Sequence, residues 1–107
     1  MDTADRYTYR VVWSDEDQEY VGTVAELPSL SWLAADSTEA LVGIRRLAAD
    51  VVKDMEAAGE TPPLPLHDRH YSGKFQVRIP PEIHRRLALE AAEDHISLNR
   101  LIAARLA

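Results

Sequence analysis

Six residues near the end of the chain, Lys74-Phe75-Gln76-Val77-Arg78-Ile79, alternate polar and apolar without a break. A strict period of two predicts a β-strand over 74–79. Pro80-Pro81 follows at once and ends it, and a proline also fits the first position of a helix. Helical spacing of Ile83, Leu87, Ala88 and Ala91 predicts a helix over 81–94. His95-Ile96 is a tight connection, Ser97 is a good N-cap, and Leu98, Leu101, Ile102 and Leu106 define a last helix. Residues 73–107 thus read strand–helix–turn–helix, with one strand and nothing to pair it with. A lone strand leaves backbone donors and acceptors open on both edges, and two short helices bury little apolar area. The simplest partner is a second copy related by a two-fold axis. Two such strands would form an antiparallel ribbon. Phe75, Val77 and Ile79 would face the four helices together with Leu87, Leu101 and Ile102, as the dimer core. Lys74, Gln76 and Arg78 would point out of the other face.

A two-stranded ribbon fits the DNA major groove, where Arg and Lys read guanine and Gln reads adenine. The Lys74/Gln76/Arg78 stripe is therefore a candidate base reader. The bland alternative is the solvated face of an edge strand. The exposed amides at Ser97, Leu98 and Asn99 could hold a backbone phosphate.

The front of the chain has a different character. Residues 7–14 and 19–25 are rich in aromatic and β-branched types and read as a hairpin around the polar turn 15–18. A short third strand fits 30–34. Leu41, Ile44, Ala48, Val51 and Met55 recur at helical spacing and predict a helix over 37–58, with Asp36 or Ser37 as N-cap and Gly59 as its terminator. Prolines 62, 63 and 65 then break all regularity, although a fourth strand near Leu64–Leu66 is allowed.

Charge divides the same way. Residues 1–70 carry a net −8 and residues 71–107 a net +2, within a total of −6. With no cysteine, disulfides and thiolate metal sites are excluded. There is no apolar run long enough for a membrane span and no secretory leader pattern, so a cytoplasmic location is expected. His67 and His70 flank Asp68 but lack further ligands at zinc spacing, so linker polarity is the better reading and neither metal nor other cofactor is expected. Asp15, Glu16, Asp17, Glu26 and Asp36 do not read as a two-metal nuclease, and no nucleophile–base or phosphate-loop pattern occurs, so no catalytic residue is expected. Trp13, Trp32, Tyr7, Tyr9 and Tyr20 fit core packing or a protein contact better than base stacking, given the acidic front.

The segment Gly73 to Pro80, then Pro81-Glu82-Ile83-His84 and Ser97-Leu98-Asn99-Arg100-Leu101-Ile102, resembles the ribbon-helix-helix (Arc/MetJ-like) fold. Tyr71 to Pro80 is especially similar to the C-terminal module of HicB-family antitoxins. The stretch Tyr20 to Pro28, a third strand and the helix ending at Gly59-Glu60 resemble the HicB N-terminal domain. The resemblance implies an α+β chain. A partial ribonuclease-H-like β-β-β-α-β domain (1–66) would be joined by a linker (67–72) to a ribbon-helix-helix module (73–107). It implies a front domain that neutralises a small basic HicA-like mRNA interferase and a tail that binds operator DNA and represses its own operon. On that resemblance Lys74, Gln76 and Arg78 contact bases, and Ser97, Leu98 and Asn99 contact phosphate. The homodimer forms through the tail, and two ribbons joined through their front domains would make a tetramer. Two departures stand out. His95 occupies a turn position where relatives often have Gly, and Ser29-Leu30-Ser31 replaces a Gly-Cys. A stand-alone ribbon-helix-helix regulator with a sensing front domain, or a plain oligomerisation module, are the competing readings.

Overall fold

The β-branched and aromatic runs at the front form β1 (Tyr9–Ser14) and β2 (Glu19–Val24), and β3 (Ser31–Ala34) completes an antiparallel sheet of order β1-β2-β3. In the computed structural model, which describes residues 2–107, the chain separates into one unit running to Tyr71 and another from Ser72 to Ala107. The whole is α+β. The hairpin tip is held by its own polar groups. The Ser14 hydroxyl bonds Asp17, and Gln18, at φ +55°, donates from its side chain to the Asp15 carbonyl.

Helix α1 (Ser37–Ala57) covers one face of the sheet. Asp36 caps it, its carboxylate accepting from the Thr38 amide at 2.7 Å. Its other end closes in a Schellman turn. Gly59 at φ +79° donates to Glu56 O, and the Glu60 amide reaches back to Met55 O at 2.8 Å. The stripe that α1 buries differs from the one its hydropathy predicts. Ala40, Gly43, Ile44, Ala48 and Val52 are buried, whereas Leu41 is exposed and Val51 and Met55 are half-buried. The cause lies across the contact, in β2. A Cβ added to Gly22 would sit 2.7 Å from the Ala40 carbonyl oxygen. The helix approaches so closely there that small residues must face the sheet. Val24, Ile44, Ala48 and Val52 form the core with Ala4 and Tyr7.

Register fixes which residues share a face. Gly22 looks toward α1, so its cross-strand partners Val11 and Trp32 do as well. On the opposite, open face, Val12, Val21 and Leu33 lie in one cross-strand row.

No fourth strand forms at Leu64–Leu66. Pro62, Pro63 and Pro65 have no amide to give a ladder, and the segment is held by side chains instead. The Tyr7 hydroxyl donates to the Pro63 carbonyl at 2.7 Å, and the Leu66 amide donates to Glu26 at 3.0 Å. Most of the stretch predicted as linker is tied down as well. Leu66–Asp68 is a 3-10 turn, Arg6 pairs with Asp68 at 2.9 Å, and the Tyr71 hydroxyl donates to Leu66 O.

The second unit contains α2 (Pro81–Glu93), opened by Pro81, and α3 (Leu98–Leu106). Between them His95 takes the left-handed conformation, φ +57°. Its amide donates to Ala92 O and that of Ile96 to Ala91 O, another Schellman turn, built here without glycine. Ala91 and Leu101 are buried in this unit, and Arg105 pairs with Glu90 across the two helices. Among the described residues no helix is long and apolar enough to cross a membrane.

Candidate nucleic-acid interface

A strand is defined by its ladder, and the elements beside Lys74–Ile79 in its own unit are helices. The segment predicted as a strand therefore belongs to no sheet, and every residue from Tyr71 to Glu82 is exposed. Gly73, at φ +83°, turns the chain into it. The exposure of its apolar members is large: 73% for Phe75, 63% for Val77 and 39% for Ile79. Phe75 and Val77 line one open groove with Leu98, Ile102 and Leu106 of α3. The structure thus brings together three of the predicted core residues, Phe75, Val77 and Ile102. Leu101 is buried and Leu87 half-buried within the unit, and Ile79 stands outside the groove.

The predicted base-reading residues separate in a similar way. Gln76 and Arg78 are exposed away from the groove, whereas Lys74 lines it together with Asn99. At the start of α3, the Ser97 hydroxyl accepts from the Arg100 amide at 3.0 Å. That bond satisfies the third amide of the helix and leaves those of Leu98 and Asn99 available to an anion. The Leu98 side chain has a second position in the site, half-buried in the groove. Helical spacing alone contained that signal, since Leu98 falls on the same face as Ile102 and Leu106.

The front-unit carboxylates have structural duties. Asp15 accepts from the Trp13 indole at 2.7 Å, Asp17 bonds Ser14, and Asp36 caps α1. Glu26 is 6% exposed and accepts from the Thr8 amide, the Thr8 hydroxyl and the Leu66 amide. Burial pushes its pKa up, but the amides of Leu66 and Thr8, its own amide and the Thr8 hydroxyl outweigh that and hold the carboxyl below its ordinary 4.5. Burial, with the Glu26 charge behind it, raises the pKa of the Tyr7 hydroxyl, which stays a donor. Among the described residues no three His, Asp or Glu side chains converge as a metal site would need. The importance of Glu26 was hidden in the sequence, because its partner Leu66 lies 40 positions away.

Residues 57–106 match the HicB family. No curated protein and no solved structure matches the chain. The HicB stretch runs from the last residue of α1 to the last of α3, so it takes in the alternating segment and both helices of the second unit. The match takes in just under half of the chain.

Proposed function

We propose that this chain is the antitoxin of a HicAB-like system, neutralising an mRNA-interferase toxin through its first unit and repressing its own operon through its second. The observation that carries this reading is the HicB match over the stretch that holds Lys74, Gln76 and Arg78. Two copies of the second unit, paired along 74–79 as a ribbon-helix-helix, would cover the groove lined by Phe75 and Val77. The same pairing would put Gln76 and Arg78 on the outer face of the ribbon, with the amides of Leu98 and Asn99 available to phosphates. For the toxin side, the support is charge. Between Val11 and Ile44 there are seven acidic residues and no Lys or Arg, which complements a small basic partner.

The test has two arms. Fluorescence anisotropy with the DNA upstream of its own gene, against scrambled DNA at matched salt, should show at least about 10³-fold preference. Arg78→Ala should cost about 1–3 kcal/mol of operator affinity with the oligomer unchanged. Equal binding by the variant would remove the base-reading role. In the second arm, tagged chain recovered from its own cells should carry a small basic protein in stoichiometric amount. Recovery of DNA and the chain alone would make it a stand-alone regulator.

A further inference from the structure

Three strands covered by one helix leave a second face, and register decides what it carries. Among the described residues α1 is the element that packs across the strands, on the Gly22 side. Side chains alternate along a strand, so Arg10, Val12, Glu19, Val21 and Leu33 share the open side. Val12 and Leu33, at the two ends of the central row, are each 47% exposed. The next row toward the hairpin tip holds Glu19, which adjoins Asp15, Glu16 and Asp17. The row on the other side holds Arg10, opposite Thr23. Along the strands the face therefore runs from four acids, through an apolar row, to one base.

We propose, resting on the toxin-binding role given above, that this open face docks a single amphipathic helix of the small basic partner. The helix lies along the strands over Val12, Val21 and Leu33, with its Lys and Arg residues at the hairpin end. The dimensions suit one helix. Strands of six residues at about 3.4 Å each make the face about 20 Å long, and three of them about 4.8 Å apart make it about 14 Å wide. A helix with its side chains is about 10–12 Å across and covers that length in about 13 residues. Its apolar stripe would take the central row out of water, and its basic end would meet Glu19 and the hairpin tip. The same charges select against a second copy. Reversed on itself, the face offers Arg10 alone to four acids, whereas a basic helix end can match them all.

The test uses the full tagged chain recovered from its own cells, and reads the amount of small basic protein it holds and the salt that releases it. Leu33→Lys should hold at least about tenfold less than wild type, with the denaturation midpoint of the first unit close to that of wild type because Leu33 faces water. Glu19→Lys should release the partner at lower salt and Arg10→Glu at higher salt, opposite shifts from two charges of one face. Val42→Lys is the control, an equally exposed apolar position that lies on α1, and should hold the partner as wild type does. A partner held equally by all four variants would overturn the docking face and leave the antitoxin reading standing, as would a partner lost in Val42→Lys and kept in Leu33→Lys. A wild type that holds no such protein would remove that reading and the docking face with it. A Leu33→Lys chain of smaller light-scattering mass than wild type would give the face to a second copy and overturn the proposal.

Discussion

The two units reach a folded state by different routes. The first closes its own core, with Ile44 and Val24 wholly buried between α1 and the sheet and the proline-rich return fastened by Tyr7 and Glu26. The second buries Ala91 and Leu101 and presents Phe75 and Val77 to solvent. On the proposed pairing the second unit completes its core by association, and its stability then depends on its concentration. The first unit buries Ile44 and Val24 within one chain and needs no second copy to do so.

That contrast can be broken most sharply at Phe75. On the proposed pairing, Phe75→Ala removes a side chain buried in the ribbon and should cost the associated tail about 3–5 kcal/mol. Denaturation of the second unit should then shift with protein concentration and move strongly in the variant. A midpoint that ignores both concentration and the substitution would mean that Phe75 is surface. Ile44→Ala is the matched probe of the first unit. It should cost about 2–5 kcal/mol, read as a lower denaturation midpoint of that unit.

Glu26 tests how the first unit closes. Glu26→Gln replaces an acceptor-only carboxylate with a group whose amide end cannot accept from Thr8 and Leu66. The expected loss is about 1–3 kcal/mol near neutral pH. The folded carboxyl titrates below its ordinary 4.5. Its contribution is therefore fully present above that value and disappears as pH falls through the lowered pKa. Wild type and Glu26→Gln should converge in stability as the solution is acidified below 4.5. A difference that stays constant with pH would show that the carboxylate charge does not hold the return segment.

Legibility followed the range of the interactions. Local rules located β1, β2, β3 and α1 to within one or two residues, narrowed the N-cap of α1 to Asp36 or Ser37 and identified Gly59 as its terminator. Hydropathy picked Leu41 and Met55 for the α1 stripe, because it weighs a leucine above an alanine. The fit to Gly22 reversed that preference. Glu26 read as one acid among many, since its burial depends on a segment that returns from 40 residues away. In the second unit the helices and the Ser97 cap were legible locally. The proposed pairing of 74–79 would be a property of two chains, and alternation specifies only which of its residues would share a face.

The smallest expected effect bears on the turn between α2 and α3. His95 holds φ +57° at the position that follows the α2 C-cap, where glycine carries no Cβ penalty. Histidine tolerates that region better than a β-branched residue would, which is how the turn survives with it. His95→Gly relieves the steric cost and adds backbone entropy to the unfolded chain, so the two effects partly cancel. The net should be a gain of about 0.5–1 kcal/mol in the second unit, with the first unit's midpoint unchanged because the substitution lies outside it. A loss of stability would mean that the imidazole makes a contact worth more than the strain. A gain shared by both units would mean that they unfold together, and the contrast between a self-closed unit and one with exposed apolar residues would no longer describe two independent routes to the folded state.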